Sequence, residues 1–131
     1  RLANIRQERQ RARMMANVAN ADVVITNPTH YAVALKYDME VMAAPILLAK
    51  GIDDIAMRIR EEADKNEVPI VENPPLARAI YATVELDEAI PESLYHAVAE
   101  VIGYVFRLKD KLPSDGPLHP PPPDWSLDPQ E

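Results

Sequence analysis

The sequence predicts an α/β domain: a mixed four-stranded sheet covered by helices, with a helix in front of it and a proline-rich tail behind. Three observations point there. Short runs of Val, Ile, Thr and Tyr recur between residues 22 and 72, the residue types that suit a pleated, half-buried surface. Between and after them lie segments with apolar residues at helical spacing. Strands alternating with helices are the pattern of α/β packing. The 131 residues suffice for one domain with a modest core. Apolar residues make up 47% of the chain but aromatic ones only 5%, so that core is expected to be aliphatic.

Residues 1–20 read as a basic linker helix. Arg1, Arg6, Arg9, Arg11 and Arg13 face only Glu8, among residues that favour helix. Leu2, Ile5, Met14, Met15 and Val18 are too sparse for a core-facing stripe, so a solvated helix is expected. The arginines also suit a position beside anionic lipid on the cytoplasmic side of a membrane.

The domain proper is expected over 21–109. Strand one covers 22–26, and the unbroken Val23-Val24-Ile25 run suits a strand buried on both faces. Strand two covers 31–37. A loop over 39–44 leads to strand three at 45–50, which Gly51 closes. A helix over 53–65 has Ile52, Ile55, Ala56, Ile59 and Ala63 at helical spacing and Asn66 as its stop. Its charged residues, Asp53 among them, read as a solvent face with no catalytic part. Strand four covers 68–72. Pro74-Pro75 opens a helix to Thr83, because proline is tolerated in a first turn. A last helix runs from Pro91 to Leu108 on a stripe of Leu94, Val98, Val101, Ile102 and Val105, with Tyr95 and Phe106 beside it. Strand order is not readable from these patterns.

The tail, 110–131, includes Pro120 to Pro123 and is expected to be extended and polyproline-like. A partner-binding segment around Trp125 is the alternative.

Composition removes several function classes. With no Cys, neither a disulfide framework nor a thiolate metal site is available. His96 lacks companions at metal-ligand spacing and reads as an exposed residue. No cofactor is expected: the chain has three glycines and no phosphate-binding loop. The net charge of −7 argues against a nucleic-acid partner. No run approaches the ~20 apolar residues of a membrane span. The chain begins without Met, so a fragment of a longer protein is expected.

The chemistry-bearing stretch is Asn27-Pro28-Thr29-His30, set between strands one and two. An Asn-Pro step between strands marks a turn, since proline fixes φ and lacks an N–H. A second reading concerns the bond itself. Asn ordinarily deamidates when the next backbone nitrogen attacks its side chain, a route that proline closes. The remaining route is attack by the Asn27 side-chain nitrogen on the Asn27 carbonyl carbon, which breaks the bond to Pro28. That reaction needs a well-held turn, a donor for the developing oxyanion and a path for the proton. The Thr29 hydroxyl is a candidate hydrogen-bond partner. The His30 imidazole belongs to the side-chain type that exchanges protons near neutral pH.

The run from Val24 to Tyr37, carrying Asn27-Pro28-Thr29-His30, resembles the signature of the FlhB/YscU family of type III secretion exporters. Ala44-Pro45-Ile46-Leu47-Leu48-Ala49-Lys50-Gly51 and Val68-Pro69-Ile70-Val71-Glu72-Asn73-Pro74-Pro75-Leu76-Ala77-Arg78 resemble further blocks of the same family in register. The resemblance implies that the Asn27–Pro28 bond cleaves itself, with Asn27, Pro28, Thr29 and His30 as the site and the two pieces remaining together. It implies a domain on the cytoplasmic face of the bacterial inner membrane, anchored there by a preceding membrane-embedded region. The event would be a single turnover without an outside substrate, switching export from rod- and hook-type to filament-type substrates. Implied partners are other export-apparatus proteins, export substrates and a hook-length regulator; the proline-rich tail leans toward the flagellar branch. Two rivals stay open. One is a non-cleaving module in which the turn is a recognition element. The other is an enzyme with His30 as general base, which lacks a nucleophile–base–acid set. Asn73-Pro74 is a second Asn-Pro step that the family pattern leaves intact.

Overall fold

The computed structural model describes residues 2–28 and 30–111; Thr29, and the proline-rich segment from residue 112 onward with Trp125, lie outside the described residues. Val23, Val24 and Ile25, fully buried, form the middle of the sheet. They belong to β1 (Val23–Asn27), which pairs antiparallel with β2 (Tyr31–Lys36) and parallel with β4 (Ile70–Glu72). On the far side of β2 lies β3 (Ile46–Ile52), giving the order β3-β2-β1-β4. The sheet is mixed, as expected, because β2 alone runs against the other three.

The period-2 alternation of the strands divides the core into two layers. Val23, Ile25, Val33, Leu35 and Leu47 face α3 (Pro74–Thr83) and α4 (Tyr95–Lys111), which a short 3-10 turn at Glu92–Leu94 precedes. Val24, Ala32, Ala34 and Ala49 face α2 (Asp53–Lys65). That second layer also receives the end of α1 (Leu2–Val18), which corrects the expectation of a wholly solvated linker. Residues 4–13 are exposed, but Met14 is 7% exposed and Val18 fully buried. Three alanines on this face of the sheet leave room that Met14 and Val18 fill, so a stripe too short to notice still docks the helix.

Other boundaries move for local reasons. Strand three continues through Gly51 to Ile52 instead of closing at the glycine. A Cβ on Gly51 would overlap the Ile55 side chain in the first turn of α2, so the glycine serves a close approach rather than a stop. Strand four is shorter than 68–72 because the Val68 N–H turns back to the Ala63 carbonyl. Pro69 contributes its carbonyl to the Val24 N–H from outside the strand. The last helix extends past Leu108 to Lys111. Among the described residues, no helix is long and apolar enough to cross a membrane.

This topology gathers three features at one end of the sheet. β1, β3 and β4 all finish there, followed by the β1–β2 turn, the start of α2 and the start of α3.

Candidate functional site

The β1–β2 ladder closes at the pair Asn27–Tyr31, leaving Pro28, Thr29 and His30 as the connection. The His30 backbone N–H donates to the Asn27 carbonyl oxygen at 2.9 Å. This is the bond of a β-turn with proline at its second position, where the ring's fixed φ is already suitable. The oxygen that accepts it is the one on the Asn27–Pro28 peptide. Asn27 is half-buried at the end of its strand; Pro28 and His30 are exposed.

The turn is tied a second time. The His30 carbonyl accepts the Asp53 N–H at 3.0 Å, anchoring the connection to the first residue of α2. Asp53 holds a φ of 47° there, in the left-handed region. Its Oδ1 stands 3.6 Å from His30 Nδ1. Asn27, His30, Tyr31, Ile52 and Asp53 line an open cleft of about 270 Å³. Tyr31 leaves the turn toward the interior and meets the Tyr81 ring with centroids 5.3 Å apart.

Of the four predicted site residues, Asn27, Pro28 and His30 come together in one turn, and Thr29 lies outside the described residues. Two groups escaped sequence reasoning. The backbone N–H of His30 sits on the Asn27 carbonyl where a side chain was sought; a strand–Asn–Pro–x–His–strand pattern does imply such a bond. Asp53 carried no signal, since it looked like any charged residue on a solvent face.

The second Asn-Pro step shows what a different setting does. Asn73 is 2% exposed and is the N-cap of α3. Its N–H donates to the Thr26 carbonyl at 2.8 Å, and its side-chain oxygen accepts from the Leu76 N–H at 3.4 Å. Its own carbonyl accepts the Ala77 N–H at 2.9 Å, as the first link of the helix. Attack by this side chain on its own carbonyl would break the cap and the first helical turn together. The Asn73–Pro74 bond is therefore expected to survive wherever the first is cut. Asn73→Ala should lower stability by about 1 kcal/mol, read from a urea unfolding midpoint.

Elsewhere the chemistry is thin. His96 is exposed and pairs with Glu100 at 3.2 Å on the outer face of α4. Among the described residues, no three His, Cys, Asp or Glu converge as a metal site. An apolar cleft of about 420 Å³ lies at the opposite end of β2, lined by Tyr37, Met39, Pro45, Tyr95, Ile102 and Phe106 among others.

Residues 1–105 match the family described as FlhB HrpN YscU SpaS. The chain is similar to the flagellar biosynthetic protein FlhB of Bacillus subtilis (strain 168), with 54% identity over 100 residues that take in 76% of this chain and 28% of that protein. It is 50% identical to the flagellar biosynthetic protein FlhB of Escherichia coli (strain K12) over 109 residues, 83% of this chain and 28% of that one. The chain thus spans little more than a quarter of the length of these relatives. Its fold is similar to the crystal structure of the cytoplasmic domain of FlhB from Shewanella putrefaciens. That match has a TM-score of 0.79 at 51% identity and covers 87% of this chain and 88% of that one. A mutated EscU C-terminal domain matches with a TM-score of 0.67 at 28% identity, covering 70% and 98% of the two chains.

Proposed function

The chain belongs to the FlhB HrpN YscU SpaS family, and we propose on that premise that it cuts itself once between Asn27 and Pro28 and thereby changes which proteins a flagellar type III export machine accepts. The observation that carries this reading is the 2.9 Å bond from the His30 N–H to the Asn27 carbonyl oxygen. A donor already seated on the carbonyl under attack costs no reorganisation when charge develops there.

In the proposed reaction, Asn27 Nδ2 adds to the Asn27 carbonyl carbon and closes a five-membered ring. The electron pair moves to the carbonyl oxygen, where the His30 N–H holds it. The proton lost by Nδ2 passes to the nitrogen of Pro28, with the His30 imidazole as carrier. The C–N bond then breaks. One piece ends in a succinimide at Asn27, which water later opens; the other begins with the secondary amine of Pro28. Attacking group and target share one residue, so proximity supplies much of the acceleration.

The piece ending at Asn27 contributes β1, hydrogen-bonded on both sides, so the cut frees the turn without releasing the strand. The domain acts on the cytoplasmic face of the bacterial inner membrane, beside other export proteins, and moves export from rod- and hook-type to filament-type substrates.

The test is the denatured intact mass of the purified chain. Two species, one ending at Asn27 and one starting at Pro28, are expected, eluting together under native conditions. A single uncut mass would overturn self-cleavage. It would leave the second reading, an interaction module, which the apolar cleft beside Tyr37 and Phe106 favours.

A further inference from the structure

We propose that Asp53 is the positioning residue for the His30 imidazole, an inference that rests on the self-cleavage just described. Three observations converge on it. Asp53 Oδ1 is 3.6 Å from His30 Nδ1, the nearer ring nitrogen to the backbone. The Asp53 N–H donates to the His30 carbonyl at 3.0 Å, so main chain and side chain of the two residues face each other. Asp53 also holds a φ of 47°, a conformation that L residues other than Asn and Asp seldom adopt.

The strain is informative because of where it sits. Among the described residues, the other two non-glycine positions with positive φ, Glu67 and Asp87, lie in turns, where such angles are common. Of these three described residues, Asp53 is the one that opens a helix. An exposed ion pair contributes little to folding, and the side chains of His30 and Asp53 are 65% and 68% exposed. The side-chain pair itself therefore adds little to the stability of the fold. Its geometric effect is to aim a carboxylate at Nδ1.

A carboxylate there directs the ring proton to Nδ1 and leaves the Nε2 lone pair open. That nitrogen is then the one able to take the proton from Asn27 Nδ2 and return it to Pro28. The separation of 3.6 Å is longer than a hydrogen bond, as catalytic contacts often are before the reacting geometry is reached. Asp53 touches no reacting atom, so its part is to set the tautomer and orientation of the carrier.

The experiment uses the full chain and variants that keep the backbone. Asp53→Gly accepts a positive φ without strain, and Asp53→Asn tolerates it while removing the charge. Both are expected to melt as the parent does and to be cut about ten-fold more slowly or worse, read as the fraction cut against time by denatured mass. Asp53→Glu should recover part of the rate. In the uncut Asn27→Ala background, nitrogen chemical shifts of the His30 ring are expected to report the Nδ1–H form, and Asp53→Gly should shift the population toward Nε2–H. Parent-like cutting in Asp53→Gly while His30→Ala is slow would overturn the assignment to Asp53 alone. Unchanged ring shifts would do the same. A parent chain that is never cut, or a His30→Ala chain cut at the parent rate, would instead overturn the cleavage reading or the role of the imidazole in it, and this assignment with them.

Discussion

An Asn27→Ala chain is expected to give a single mass under denaturing conditions where the parent chain gives two. The effect should be complete, because the substitution removes the attacking nitrogen and nothing nearby replaces it: Pro28 has no N–H, and the backbone nitrogen of Asn27 cannot close a five-membered ring on its own carbonyl. The fold should survive. Asn27 is the last residue of β1 and half-buried, and its contribution to the ladder is made by main-chain groups that alanine retains. Loss of the cut would therefore report chemistry rather than unfolding. An Asn27→Ala chain severed at the same bond would refute ring closure by the side chain and require an outside nucleophile.

Ile25→Ala is expected to have the largest effect on stability, and its size should depend on whether the turn is cut. Ile25 is fully buried in the layer facing α3 and α4, on the strand held between β2 and β4. Truncating such a side chain to alanine costs about 2–5 kcal/mol, a large share of what a domain of this size possesses. In the uncut protein the loss should appear as a lower melting temperature. In the cut protein β1 is held only by non-covalent contacts, and the same loss becomes a loss of affinity between the pieces. At about 1.4 kcal/mol per decade, that weakens their association roughly 30-fold to several-thousand-fold. Size exclusion of the cut parent and the cut variant at decreasing concentration checks it. Equal retention of both pieces would show that β1 is not what holds them together.

The strands and helices were legible because their signals are local. Val23-Val24-Ile25 announces a buried strand, Pro74-Pro75 a first helical turn, and Ile55, Ala56, Ile59 and Ala63 one face of a helix. The order of the strands was not legible, since nothing near Val24 says that it will lie beside Ile70. The end of α1 was missed for a related reason: Met14 and Val18 are two contacts at the tip of a polar helix, and their value depends on alanines in β2 and β3. The site divides the same way. Asn27, Pro28 and His30 stand together in sequence and could be read. Asp53 reaches them only because β3 returns alongside β2, and aspartate is too common at helix starts for its tolerance of a left-handed backbone to signal one.

The tie between Asp53 and His30 bears on timing. The turn gains its second tie only after β3 has paired with β2 and α2 has started, and β1 is enclosed on its other side only when β4 arrives. Pairings between distant parts of a chain form late in folding. A nascent or misfolded chain thus lacks the restraint that Asp53 places on the turn, and its bond to Pro28 should break more slowly. The proposed cut then falls first on molecules that have completed their sheet, a one-way record of correct folding written into the covalent structure.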